Sequence, residues 1–255
     1  MHTFVINLEK DRARREAVRS QLERLNLSYE FFPGVLGSAL SQGELAECYN
    51  DRKARWLLCK SLTPAEIGCA FSHLKVYKEI IERDLEYALV LEDDVTLPVD
   101  MHAVLGEIQR VKGTGRPQVI LLSPAKSYKR RARVGILGGK YDVAAFKEGT
   151  FTSSYIVTKS AASALLKELY PIGDVADCWN RLNRYGVVNI SVIEPPLIEQ
   201  NRDVYGSATS EDILKLLNKW SKWQWFLFKC CRVRSVFFDF FYALYRRVTG
   251  SLDRN

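Results

Sequence analysis

The chain has 255 residues, 47% of them hydrophobic, and a formal net charge of +7. This length suits one large domain or one domain with an appendage, and the composition excludes a disordered or collagen-like chain. The charge is uneven, because the residues from Glu211 onward include nine basic and four acidic side chains. We therefore predict a globular domain over 1–210 and a separate helical tail over 211–255.

The first predicted elements alternate between strand and helix. An apolar run over 3–8 is typical of a buried strand, and residues 11–25 carry apolar side chains at helical spacing. Residues 31–37 predict a short strand and turn. A second helix should begin at Thr63, which is followed by Pro64 and by Glu66 three positions later. This order of elements predicts an α/β fold.

The next strand is the most informative one. It starts at Tyr87, is strongly apolar, and ends in three carboxylates. Such a run is typical of a central parallel strand whose carboxyl end opens onto a ligand site. The remaining predictions are strands over 119–122, 151–158 and 187–193, a helix over 160–169, and a basic loop over 126–133.

The carboxylates Glu92, Asp93 and Asp94 indicate a cation site. Adjacent carboxylates repel one another, and Mg²⁺ and Mn²⁺ are the hard cations that prefer such oxygen ligands. If the segment stays extended, Glu92 and Asp94 point to one face and Asp93 to the other. A solvated loop with helix-capping acids is the other interpretation, but the buried strand before the triplet favours the cation site.

Three segments together are similar to glycosyltransferase family 25. They are the strand and Arg-bearing helix from Val5 to Arg15, the segment Leu62–His73, and the acidic segment Ala88–Val95. The resemblance extends over roughly residues 3–207. Ala65 departs from the glycine usual in the family, and the region 171–177 has two acids where the family has one.

The resemblance implies a GT-A-like fold, a Rossmann-type nucleotide-binding sheet flanked by helices, with an inverting mechanism. Asp94 with Glu92 would hold Mn²⁺ or Mg²⁺ against the diphosphate of a UDP-sugar. Asp177 is the first candidate for the general base and Asp174 the second, although either acid could instead cap a helix. The further candidates for donor or cofactor contacts are Asn7, Arg12, Ser72, His73, Glu92, Asp93 and Gln200.

Two of these candidates have plain structural interpretations beside the functional one. A lone helical histidine such as His73 is often only a buried, hydrogen-bonded residue, and an exposed helix face explains Arg12 as well as phosphate binding does. The motif around Ser72 favours a donor pocket for His73.

The tail from Trp220 to Tyr245 is rich in aromatic residues interrupted by Lys and Arg. This pattern predicts helices that lie on an anionic membrane surface, with a helix packed on the domain as the alternative. The first apolar run is short and soon followed by charges, so we expect no secretory signal. Six cysteines without zinc-type spacing indicate thiols in a reducing compartment. We therefore expect a cytoplasmic protein, peripheral to the inner face of the inner membrane.

The expected reaction is transfer of a hexose to a lipid-anchored saccharide of the lipooligosaccharide type. By resemblance the donor is UDP-galactose and the product a β-galactoside, with another UDP-hexose as the nearest alternative. Nucleotidyl transfer would need a glycine-rich, lysine-bearing loop near the N-terminus, which the sequence lacks. A membrane-surface adaptor without catalysis is the third possibility. No nucleic-acid-binding motif accompanies the basic patches, so we expect no nucleic-acid partner.

Overall fold

A computed structural model describes residues 1–110 and 117–200, apart from the side chains at 109, 110, 130 and 132. The predicted tail over 211–255 lies outside the described residues. The strands are His2–Asn7 (β1), Glu30–Pro33 (β2), Tyr87–Glu92 (β3), Val95–Thr96 (β4), Gln118–Leu121 (β5), Ser127–Ile136 (β6), Tyr141–Glu148 (β7), Ser154–Thr158 (β8), Asn189–Glu194 (β9) and Glu199–Gln200 (β10). The helices are Arg12–Arg24 (α1), Gln42–Cys48 (α2), Asp51–Leu58 (α3), Pro64–Glu82 (α4), Met101–Arg110 (α5), Lys159–Leu169 (α6) and Trp179–Arg184 (α7).

Eight strands form one mixed sheet in the order β2-β1-β3-β8-β5-β9-β7-β6. β1 pairs in parallel with β2 and β3, and β5 pairs in parallel with β9. β8 runs antiparallel between β3 and β5. β4 and β10 form a separate two-stranded ladder. The predicted α/β class, with a central sheet flanked by helices, is confirmed.

Both faces of the sheet are buried under helices. Along β3, Ala88 and Val90 belong to the core beneath α4, α6 and α7, whereas Leu89 and Leu91 belong to the core beneath α1 and α5. Successive side chains of a strand point to opposite faces, so a strand covered on both sides must be apolar throughout. This explains the uninterrupted apolar run that precedes the carboxylates.

The predicted start of α4 is confirmed in atomic detail. Thr63 Oγ1 accepts a hydrogen bond from Glu66 N at 3.2 Å, and Thr63 N donates to Glu66 Oε2 at 2.8 Å, which is a complete capping box. Lys60 Nζ lies 2.7 Å from both carboxylate oxygens of the buried Glu66. The start of α4 is therefore fixed by paired polar groups, and this helix forms one wall of the cleft described below.

The prediction of a basic loop over 126–133 is wrong. Most of that segment belongs to β6, an edge strand that pairs with β7. Lysine and arginine side chains on an edge strand discourage pairing with other chains, so their presence is compatible with a strand. The elements without a counterpart among the sequence predictions are β4, β7, β10, α2, α3 and α5. None of the helices within 1–110 and 117–200 has the length and apolar character needed to cross a bilayer.

Candidate active site

The three carboxylates meet at the carboxyl end of β3 and line one cleft. β3 ends at Glu92, and Asp93 and Asp94 form a turn rather than an extended continuation. The expectation that Asp93 would face away is therefore wrong, because the alternation of side chains holds only while the backbone is extended. Asp93 and Asp94 are 7% and 5% exposed, which is unusual for carboxylates. The cleft has a volume of ≈ 180 Å³.

Asp93 is tied to β1 and α1. Its Oδ2 accepts a hydrogen bond of 2.6 Å from Asn7 Nδ2, and its Oδ1 accepts one of 3.4 Å from Arg14 Nη1. Arg15 Nη1 donates to Asn7 Oδ1 at 3.3 Å, which sets the orientation of the Asn7 amide. Burial raises the pKa of Asp93, while Asn7 and Arg14 counteract the shift. The hydrogen bond between Asn7 and Asp93 therefore joins the end of β1 to the turn after β3 at the cleft.

Asp94 is the least satisfied carboxylate of the turn. Its Oδ2 accepts a hydrogen bond of 2.9 Å from Gln200 Nε2 and lies 3.8 Å from Arg14 Nη1. Its Oδ1 is buried and has no hydrogen-bond partner within the described residues. Burial, followed by the charge of Glu92, raises the pKa of Asp94 to about 6. A buried carboxylate oxygen without a donor leaves a coordination position that a hard cation fits.

Glu92 connects the turn to α4 and to the loop before β8. Its Oε1 accepts a hydrogen bond of 3.0 Å from Thr152 Oγ1 and lies 3.4 Å from His73 Nε2. The backbone N–H of Glu92 donates to Ser153 O at 2.8 Å. Glu92 thus lies between the cation position at Asp94 and a polar group on α4.

Ser72 and His73, both candidates for donor contacts, line the cleft and contribute differently to it. Ser72 Oγ donates to Gly68 O at 2.7 Å and accepts from Val35 N at 2.8 Å, so it fastens α4 to the loop after β2. His73 is buried, with Nδ1 2.7 Å from the hydroxyl of Tyr155. Ser72 therefore builds the wall, whereas His73 faces Glu92.

The wall between α4 and the loop after β2 depends on a backbone contact. A Cβ at Gly68 would lie 2.5 Å from Val35 O and 2.6 Å from Gly37 N, and a Cβ at Gly37 would lie 1.8 Å from Pro64 O. No side chain fits at either position. The two glycines therefore bring the loop against the start of α4 and define one side of the cleft.

Asp177 and Asp174 lie in different surroundings. Burial raises the pKa of Asp177 to about 6, and the charges of Glu92 and Glu66 add to the shift while His73 opposes it. Asp177 is thus within electrostatic reach of the acidic cleft. Asp174 forms an ion pair with Arg181 and lines a second cavity. Asp177 is not among the residues that line the cleft, and Asp174 lies away from it in the second cavity.

Of the remaining predicted residues, Gln200 lines the cleft and Arg12 does not. Gln200 reaches Asp94 from β10, whereas Arg12 is exposed on α1. The arginine that does line the cleft is Arg14, on the helix face that also carries the buried Val18 and Leu22. The four-residue spacing of 14, 18 and 22 is the signal that identifies Arg14 from sequence.

Three further residues of the site had no sequence prediction. Thr152 and Tyr155 bond to Glu92 and His73, and Cys69 lies one helical turn before His73. Cys69 Sγ, His73 and Glu92 offer ligand atoms that all lie within 4.8 Å of one another. The site therefore contains nitrogen and sulfur ligands beside the carboxylates.

The chain has a mixed sheet with an acidic cleft at the carboxyl ends of its first parallel strands. This arrangement is the one in which open α/β proteins bind their ligands. Residues 1–179 match the family model of glycosyltransferase family 25, described as LPS biosynthesis proteins. The chain belongs to glycosyltransferase family 25.

Relatives with established names match only over parts of their length. Human procollagen galactosyltransferase 2 is 35% identical over 99 residues, which are 36% of this chain and 15% of that protein. A glycosyltransferase 25 family member of Anopheles gambiae is 27% identical over 178 residues, 66% of this chain and 28% of that protein. Among solved structures, a glycosyltransferase involved in glycosylation of the major capsid of PBCV-1 overlaps with a TM-score of 0.40 at 12% identity, covering 84% of this chain and 97% of that one.

Proposed function

We propose that this chain is a metal-dependent, inverting glycosyltransferase that moves a hexose from a UDP-sugar to a glycan acceptor. The observation that carries the proposal is the buried Asp94, whose Oδ1 has no donor within the described residues and which lies in the acidic cleft of a family 25 chain. A buried anion of this kind is costly unless a counter-charge binds beside it. The cleft therefore suits a divalent cation bound together with a diphosphate.

Asp94 and Glu92 are the proposed ligands of Mn²⁺ or Mg²⁺, which when bound would neutralise the charge that develops on the departing UDP. Arg14 and Lys10 line the same cleft and bring two positive charges for the diphosphate. The amide of Asn7 is engaged at both ends, by Asp93 and Arg15, so Asn7 acts here as a positioning residue. Thr152 and Gln200 donate hydrogen bonds that hold the orientations of Glu92 and Asp94, and His73 lies beside Glu92.

Asp177 is the proposed general base. It accepts the proton of the attacking acceptor hydroxyl while the new glycosidic bond forms and the bond between the sugar and UDP breaks. A carboxylate whose pKa is raised to about 6 is a stronger proton acceptor than an ordinary aspartate and is still mostly ionised at neutral pH. Asp174 is occupied by its ion pair with Arg181, so we do not propose it as the base.

We propose UDP-galactose as the donor and β-galactosyl transfer as the reaction; the similarity to procollagen galactosyltransferases supports galactose as the transferred sugar. We propose a lipooligosaccharide or lipopolysaccharide acceptor, which the description of the family as LPS biosynthesis proteins supports. We propose further that the basic aromatic segment from Trp220 to Tyr245 binds an anionic cytoplasmic membrane surface. Sedimentation with anionic vesicles tests this point, because replacing Lys222, Lys229 and Arg232 with Gln should release the full-length chain.

The test of the reaction is release of UDP from a panel of UDP-sugars, with and without Mn²⁺ and a simple saccharide acceptor. Wild type is compared with Asp94→Asn and with Asp142→Asn, a control whose carboxylate pairs with Arg133 on the edge hairpin. We expect metal-dependent release from one donor, lost in Asp94→Asn and kept in Asp142→Asn.

The alternatives give different results in the same experiment. Pyrophosphate release from a nucleoside triphosphate would identify a nucleotidyltransferase. No release from any donor, together with no Mn²⁺-dependent binding of UDP, would contradict the proposed site and favour the adaptor. Equal loss in the Asp142→Asn control would show that the effect of Asp94→Asn is not specific to the cleft.

A further inference from the structure

Beside the carboxylate turn, the cleft contains a trio of different ligand chemistry. Cys69 and His73 lie one helical turn apart on α4 and therefore share one face, which Glu92 approaches from the end of β3. Their ligand atoms all lie within 4.8 Å of one another, with His73 Nε2 only 3.4 Å from Glu92 Oε1. All three residues line the cleft, so a bound ion would keep a position open toward it.

The hydrogen bonds of His73 determine which of its nitrogens can bind an ion. Tyr155 donates its hydroxyl proton to Tyr77 OH at 3.1 Å, so its oxygen is available to His73 as an acceptor. His73 Nδ1, at 2.7 Å, must then be the N–H donor. In the neutral ring this leaves the lone pair on Nε2, which points to Glu92. A histidine that donates its other ring N–H to a buried partner is the usual arrangement around metal-bound histidines.

We propose that Cys69, His73 and Glu92 form a second cation site, which takes a borderline-soft divalent ion such as Zn²⁺. Zinc combines sulfur, nitrogen and carboxylate ligands at about 2.0 to 2.3 Å, so a modest inward movement of the three side chains completes the site. Mg²⁺ and Mn²⁺ prefer oxygen ligands and suit Asp94 better. On binding, the Cys69 thiol releases its proton to the solvent and the thiolate sulfur bonds to the ion.

The second site does not depend on the proposed transferase activity, but the two cation positions share Glu92. An ion held by Cys69 and His73 would withdraw that carboxylate from the Asp94 position. Zinc bound at the second site would therefore weaken manganese binding at Asp94, because Glu92 can bind only one of the two ions at a time.

Co²⁺ is the probe for this site, because a cobalt–thiolate bond gives a sulfur-to-metal charge-transfer absorption that oxygen ligands do not give. We expect the full-length protein to develop this band with Co²⁺ and to lose it when Zn²⁺ is added. Cys69→Ser should abolish the band. Cys48→Ser, on α2, and the double variant Cys230→Ser/Cys231→Ser should retain it.

A band that survives in Cys69→Ser, or Co²⁺ binding without any band, would overturn the proposal. His73→Gln is the second ligand variant, in case Cys69→Ser does not fold, and it should weaken or abolish the band. Tyr155→Phe should keep the band but weaken Zn²⁺ binding by about 10- to 100-fold, because the partner of Nδ1 is lost. Unchanged affinity in Tyr155→Phe would contradict the role of Tyr155 in holding the tautomer of His73. None of these measurements uses transfer activity, so they test the second cation site separately from the proposed function.

Discussion

Replacing Asp94 with asparagine should stabilise the metal-free protein while removing its response to metal. In the folded protein the pKa of Asp94 is raised from 3.8 to about 6, chiefly by burial and then by Glu92. An unfolded aspartate titrates near its ordinary value, so the folded state loses stability as the pH rises from about 4 to 6, and the loss is complete above that range. At 1.36 kcal/mol per pKa unit, the shift corresponds to about 3 kcal/mol at pH 8.

Asparagine has nearly the same shape and carries no charge. Its oxygen can accept the hydrogen bond from Gln200, and the repulsion between Asp94 and the Glu92 carboxylate is removed. Because burying an amide has its own cost, we expect a net gain of about 1 to 3 kcal/mol in the free energy of unfolding at pH 8. The part of the gain that comes from the charge should fall as the pH drops from about 6 and be gone below about pH 3, where the carboxyl group is neutral in both states.

Urea unfolding in a chelator, followed by tryptophan fluorescence, measures the effect. Asp100→Asn is the matched control of opposite sign, because hydrogen bonds from Lys140 and Tyr141 outweigh burial and lower the pKa of Asp100. That variant should be destabilised at pH 8. Added Mn²⁺ should stabilise wild type and not Asp94→Asn, which reverses their order. An Asp94→Asn protein that is less stable than wild type in chelator at pH 8 would refute the reasoning.

Three further outcomes are expected. Asp177→Asn should lower the rate of transfer by about 10² to 10⁴ with little change in UDP-sugar binding by calorimetry, and a loss of donor affinity alone would contradict a base role. Because the pKa of Asp177 is raised to about 6, activity with Mn²⁺ should fall as the pH drops below 6, and a profile that stays flat between pH 5 and 8 would argue against Asp177 as the base. Gly68→Ala should lower the free energy of unfolding in urea by about 1 to 3 kcal/mol, because its Cβ would lie 2.5 Å from Val35 O. Gly43→Ala is the control and should not destabilise, because nothing lies within 4 Å of its Cβ. Equal stability of the two variants would show that the loop against α4 can move to make room.

The elements predicted correctly are those whose signals are local. The capping residues of α4, the helical spacing in α1 and the apolar run of β3 are each read from fewer than twenty neighbouring residues. The three carboxylates were predicted as a site for the same reason. The turn at Asp93 and Asp94 was not predicted, because it depends on contacts with Asn7 and Arg14, which come from another part of the chain.

The histidine side of the cleft needed contacts that sequence spacing does not show. His73 and Tyr155 are 82 positions apart and meet only because β8 pairs beside β3. The prediction for the segment that forms the edge strand β6 was wrong for another reason. Its basic side chains resemble those of a solvated loop, and its partner β7 stabilises it only after the hairpin has formed. Local patterns therefore predicted the apolar strands β1, β3, β5, β8 and β9 and the acids, whereas the edge hairpin and the histidine side of the cleft depend on pairing between distant segments.

The reversed direction of β8 affects how the cleft can change during evolution. Because β8 runs against β3, its first residue lies beside the last residues of β3, and the loop before it supplies Thr152 and Ser153 to Glu92. An insertion in that loop would move Glu92 directly. The other end of β8 has no loop, because Thr158 caps α6, which begins at Lys159. The loop before β8 is therefore the place where a change of length would reach Glu92, and such changes should be selected against there.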